Sequence, residues 1–325
     1  MIHGQPRAVE QFTSAWHSRN MHHAWLLAGP RGVGKASFAH AAVRRILTEA
    51  AGPTVDLPRL ETPADHPMVR LVDAGSHPDL RILERLERPT GGLARNISVD
   101  QVRTLAPLLG STPFLSAWRA VVIDSADDLE APAANALLKM LEEPPANCLF
   151  LLVSHTPGRL LPTIRSRCRK LDFAPLDDDA MTSVLMEQLP SANAAERTRL
   201  IASAEGSPGR ALAFAALDLA PLEEEVLTIL RQGDPTNARR SKLAQSLGLK
   251  SAADRYAAFL DLVPSLIARE ARGLGGAQRD RALDAYARAR QTSALAPRLS
   301  LDPAATAFQL GSILASVADP ASLKR

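Results

Sequence analysis

The residues best equipped for chemistry lie in Gly29-Pro30-Arg31-Gly32-Val33-Gly34-Lys35-Ala36-Ser37. Gly29, Gly34 and Lys35 keep the G-x-x-x-x-G-K spacing of a phosphate-binding loop, with Gly32 between them. Glycines let backbone N–H groups turn toward a phosphate, and the following helix adds the positive end of its dipole. Lys35 has the reach to meet a β- or γ-phosphate. Position 36, however, is alanine where a serine or threonine hydroxyl would hold Mg²⁺. Ser37 is a poor substitute, because the next helical residue projects about 100° away around the axis. The loop is suited to hold phosphate and badly equipped to cleave it.

A second element of the same chemistry is the apolar run Ala120-Val121-Val122-Ile123, which ends in Asp124. At the end of such a strand a carboxylate holds magnesium in phosphate-loop ATPases. The next residue, where a glutamate would polarise the attacking water, is Ser125. Serine is no general base at neutral pH without a base beside it. Asp127 and Asp128 lie just beyond but are displaced along the chain. Two parts of a hydrolytic apparatus are therefore missing, the metal hydroxyl and the base.

Positioning these residues takes a parallel sheet with helices on its faces, and the first half of the chain alternates accordingly. Strands are expected at 24–28, 80–83, 120–124, 149–154 and 168–173, the first leading into the loop and a helix from Lys35. Segment 52–78 is proline-rich and reads as a loop; its His66 and His77 are expected to be exposed rather than metal ligands. Asn135–Glu143 reads as an amphipathic helix stopped by Pro144-Pro145. Beyond Phe173 only helices are expected: 181–189, 196–204, one opening at Gly206, and an alanine-rich remainder from Pro221. There Tyr256, Phe259, Leu260, Val263 and Ile267 share a face, Pro264 is expected to kink or split its helix, and Asp302-Pro303 starts the last one. Asp177-Asp178-Asp179 reads as a helix cap rather than a cation site.

Composition narrows the function. At 325 residues the chain holds two or three domains, and 46% hydrophobic with 22% charged residues is ordinary for a globular protein. Two cysteines, Cys148 and Cys168, supply neither a disulfide framework nor a zinc set. No apolar stretch spans a membrane and the N-terminus lacks a signal-peptide core, so a cytoplasmic location is expected. Net charge of +3 and 4% aromatics give no basic face or stacking platform, which disfavours a stand-alone DNA-binding module.

AANALLKMLEEPPANCLFLLVSHTPGRLLPTIRSRC, residues 133–168, resembles the clamp-loader branch of the AAA+ ATPases, with its N-A-L-L-K-x-L-E-E-P-P and S-R-C signatures. Within that branch the damaged loop, Asp124-Ser125-Ala126-Asp127, Gly4-Gln5, HHAWLLAGPRGVGK (22–35), GSHPDL (75–80) and GSPGRAL (206–212) are similar to the delta-prime family. The likeness is good over about residues 1–220. It implies a five-stranded AAA+ module at 1–173, a small helical lid at 174–219 and a helical collar at 220–325. It also implies a role for Arg167 as an arginine finger acting in a neighbour's ATP site, the planar, always-charged type suited to a transferring phosphoryl group. Arg210 matches the sensor-2 arginine, either touching the γ-phosphate or bracing the lid, and Ser154 with His155 fall at the sensor-1 position. The implied function is that of a non-hydrolysing clamp-loader subunit in DNA replication. Its partners would be gamma/tau-like ATPases and a delta-like subunit, with the sliding clamp and primer-template DNA reached through the assembly. The alternative is an autonomous phosphate-loop ATPase with atypical metal ligation. Many relatives carry a four-cysteine zinc module, but segment 52–77 has no cysteine, so no structural zinc is expected. No cofactor is required, though weak ATP or ADP binding at Gly29–Lys35 is compatible with the loop.

Overall fold

The computed structural model describes residues 2–53, 55–89 and 92–318. They divide into two compact units, Met1–Val184 with Gly206–Gly209, and Leu185–Glu205 with Arg210–Arg325. Segment 174–219 thus contributes to both.

The first unit runs α1 (Pro6–His17), β1 (Ala24–Ala28), α2 (Lys35–Ala51), α3 (Pro67–Asp73), β2 (Leu80–Glu84), α4 (Val99–Arg103), α5 (Leu105–Gly110), β3 (Arg119–Asp124), α6 (Ala131–Glu142), β4 (Cys148–Ser154), α7 (Pro162–Ser166) and β5 (Arg169–Asp172). The strands form one parallel sheet in the order β2-β3-β4-β1-β5. This is the expected five-stranded sheet with flanking helices. β1, β3 and β4 are buried on both faces except at Asp124, which is why they read as continuous apolar runs rather than alternating ones. Behind β1, Phe12, Trp25, Phe38 and Phe173 make edge-on and tilted ring contacts at 5.2–5.4 Å between centroids, tying α1, α2 and the end of β5 together. Leu26, Val121, Ile123, Phe150 and Leu152 pack with Leu137 and Leu141 of α6.

Within 52–78 the expected loop contains α3, with His66 as its N-cap accepting a bond from the Met68 amide. His77 is not exposed: it is 1% accessible, and its Nδ1 accepts from the Asp79 amide. The loop folds inward there because Asp79, itself buried, receives the amides of Phe114, Leu115 and Ser116 at 2.6, 2.8 and 2.9 Å. Charge-assisted bonds of this kind are strong enough to hold an irregular segment against the sheet. Among the described residues no group of histidine, cysteine or carboxylate side chains could hold a metal ion.

The remaining helices are α8 (Asp178–Gln188), α9 (Ala194–Ala204), α10 (Pro208–Ala216), α11 (Ala220–Gln232), α12 (Ala238–Leu247), α13 (Ala253–Ala271), α14 (Gly276–Leu299) and α15 (Pro303–Ala315). Asp177 accepts from the Ala180 amide at 2.9 Å, so the acidic run does cap α8. Asp302 caps α15 through Ala305. Pro264 does not split α13, which continues through it from Ala253 to Ala271. Proline forfeits one helical bond, but Val263, Pro264, Leu266 and Ile267 are all buried, and packing outweighs propensity. None of the described helices is long and apolar enough to cross a membrane.

Candidate functional site

The phosphate-binding loop joins β1 to α2 at the carboxyl end of the sheet. Gly34 caps α2 with φ +99°, a left-handed conformation that favours glycine. Gly29 is required for another reason: a Cβ there would stand 2.1 Å from the Phe173 carbonyl oxygen. The first glycine of the motif therefore serves close packing against the strand-5 exit.

The loop's carbonyls are taken by the protein's own donors. Lys35 Nζ donates to Gly29 O at 2.7 Å and to Pro30 O. Ser207 Oγ donates to Arg31 O at 3.0 Å, Gly209 N to Gly32 O at 2.9 Å, and Gln5 Nε2 to Val33 O at 3.3 Å. Gln5 also binds Ala174 O at 2.8 Å. The Gly4-Gln5 and Gly206-Ser207 motifs thus have a physical role as stitches across the loop. Lys35 is only 2% accessible, and burial brings its pKa down to about 8, against the opposing pull of Asp127 and Asp124. Ala36 and Ser37 are exposed on the first turn of α2.

Asp124 ends β3 in register with Glu84 of β2. Burial raises its pKa, Glu84 adds to the rise, and Lys35 opposes it. Ser125 is buried and follows directly. Asp127 has a fixed employment. Its carboxylate accepts from Ser154 Oγ at 3.0 Å, the His155 amide at 2.5 Å, and the Thr156 amide and hydroxyl at 3.2 and 3.1 Å. Asp128 forms an ion pair with Arg85 at 3.2 Å. Both aspartates are committed to these partners. The clasp role of Asp127 was missed from sequence; its only local signal is an aspartate just past β3, which does not name partners some 27 residues away.

His155 sits half-buried at the end of β4 with Nδ1 unpartnered. Burial, with Lys35 and Arg31 nearby, depresses its pKa to about 4 although Asp127 pulls it upward. It is a neutral imidazole at physiological pH. Ser154 is completely buried and committed to Asp127.

The structure therefore brings together Gly29, Gly32, Gly34, Lys35, Asp124, Ser125, Ser154 and His155. Arg167 belongs to a different cluster. It follows α7, one side-chain nitrogen 2.7 Å from Glu142 Oε1 and another donating to Thr163 O at 3.0 Å. Its side chain is 33% accessible, neither folded into the core nor free of partners. Arg210, in the second unit, pairs with Glu205 at 3.2 Å, donates to Ser265 and to Asp261 O, and lies over the Phe214 ring. Burial pushes both cysteine thiols up to about 12, so neither is a nucleophile.

Residues 4–177 match the family model described as DNA polymerase III, delta subunit. The chain is 38% identical over 192 residues to DNA polymerase III subunit delta' of Pseudomonas aeruginosa, a match covering 57% of this chain and 53% of that protein. It is 32% identical over 236 residues to the delta' subunit of Escherichia coli K12, covering 72% of this chain and 67% of the relative. Over 178 residues it is 32% identical to the tau subunit of Bacillus subtilis, covering 55% of this chain and 29% of that longer protein. The match thus spans about half the length of the Pseudomonas relative and two thirds of the Escherichia one. The chain belongs to the delta-prime family of DNA polymerase III subunits.

Proposed function

We propose that this chain is a non-hydrolysing clamp-loader subunit of DNA polymerase III, which lends Arg167 to the ATP site of an adjacent subunit. The observation that carries this reading is the contrast between its two ends. The loop site lacks the hydroxyl at Ala36 and the base at Ser125, and both nearby aspartates are otherwise engaged. Arg167 sits at a partly exposed position, apart from that loop. A guanidinium stabilises the charge spreading over a transferring phosphoryl group and is worth roughly 10³–10⁵ in rate where it operates. Partners of the gamma/tau type fit the similarity to the tau subunit. Clamp and primer-template DNA would then be met through the assembly, and Arg210 would brace the helical region rather than contact nucleotide.

The test has two parts. Phosphate release by the isolated chain should stay at background with Mg-ATP. Arg167→Ala should depress DNA-stimulated ATP hydrolysis and clamp loading by the assembled loader. Unaltered loader kinetics would reject the assigned role. Tight Mg-ATP binding with turnover abolished by Lys35→Ala would instead favour an autonomous ATPase, a reading weakened by the commitment of the Lys35 ammonium to Gly29 and Pro30.

A further inference from the structure

The geometry points to Glu142 as the positioning residue for Arg167, an inference that rests on reading Arg167 as the trans-acting finger. Glu142 is the last residue of α6 and Glu143 follows it. Carboxylates at a helix C-terminus face the negative end of the dipole, so two in succession are poorly placed for stability. The helix stops there because Pro144-Pro145 follow. That stop sets Glu142 Oε1 2.7 Å from Nη2 of Arg167.

Nη1 of the same guanidinium donates to Thr163 O at 3.0 Å, an acceptor shared with Ser166 Oγ at 3.1 Å. Two anchors on two elements, α6 and α7, therefore fix the plane of the group. A guanidinium carries five N–H donors, so Nε and the second hydrogens of both terminal nitrogens remain for an incoming phosphate. Glu142 and Arg167 are 47% and 33% accessible. An ion pair so exposed adds little to stability, and its bond can be remade when a stronger anion arrives. What it supplies is direction. A long, rotamer-rich side chain is held in one orientation before the triphosphate is met, which lowers the ordering cost of engagement.

The experiment uses the assembled loader, with ATP hydrolysis measured on primer-template DNA. Glu142→Ala should lower kcat roughly three- to tenfold, on the scale of freezing one long side chain, with KM for ATP unchanged. Glu142→Gln, which keeps an acceptor, should restore the rate to within about twofold. In an Arg167→Ala background Glu142→Ala should do nothing further. The unfolding midpoint of the isolated Glu142→Ala chain should match the parent, which separates positioning from misfolding. A normal kcat in Glu142→Ala, with Arg167→Ala impaired, overturns the inference and leaves the finger standing. An equal loss in the Arg167→Ala background also overturns it. A normal rate in Arg167→Ala overturns the finger itself.

Discussion

Asp127 is the residue on which a structural and a catalytic reading differ most sharply. Its carboxylate receives four hydrogen bonds, from Ser154 Oγ, the His155 amide, and the amide and hydroxyl of Thr156. Bonds to a charged acceptor contribute about 1.5–3 kcal/mol each, less when they share one group. In Asp127→Ala the wholly buried Ser154 hydroxyl and the His155 amide would lose their acceptor, so a total loss of about 3–4 kcal/mol is expected. Asp127→Asn keeps one acceptor oxygen but points an NH₂ group at donors, and should cost about 1–2 kcal/mol. All three tryptophans, Trp16, Trp25 and Trp118, lie in the same unit, so their fluorescence follows its unfolding in urea. With an m-value of about 2–3 kcal/mol/M, Asp127→Ala should lower the midpoint by roughly 1–2 M at unchanged slope. A midpoint that does not move would refute the clasp.

Other expectations follow from the same geometry. A Cβ at Gly209 would lie 3.0 Å from Gly32 Cα and 3.3 Å from Gly32 O, so Gly209→Val should cost about 1–3 kcal/mol and lower the unfolding midpoint; parental stability would show that the contact does not constrain the loop. Asp79→Ala should free the segment carrying Phe114, 80% exposed, and speed chymotryptic cleavage there at native pH; unchanged cleavage would mean that other contacts hold it. Acidification should destabilise the fold. Burial holds the His155 pKa at about 4, against 6.5 in the unfolded chain, so below 6.5 the unfolded state takes up the proton first and stability falls as pH drops toward 4. The full shift corresponds to about 2–3 kcal/mol after allowance for partial exposure. His23 and His77, also lowered by burial, act in the same direction. His155→Gln should flatten that part of the stability–pH curve, and an unchanged curve would show that His155 titrates normally.

Local order was legible along the chain because local physics produces it. The continuous apolar runs of β1, β3 and β4, the stop at Pro144-Pro145, and the aspartate caps at Asp177 and Asp302 each depend on residues a few positions apart. The absence of a hydroxyl at Ala36 and of a carboxylate at Ser125 is likewise a fact of composition that no folding can repair. Packing decided the rest. His77 became buried because Asp79 gathers amides 35–37 residues away, and Pro264 stayed inside α13 because its neighbours bury apolar surface. The bonds that occupy the loop carbonyls come from Gln5, Lys35, Ser207 and Gly209, and the partner of Arg167 is the end of a different helix. Residue types and short spacings reveal which groups are present and which local turns they favour. Which donor meets which acceptor across tens of residues is settled only when the sheet and helices close and water is excluded between them.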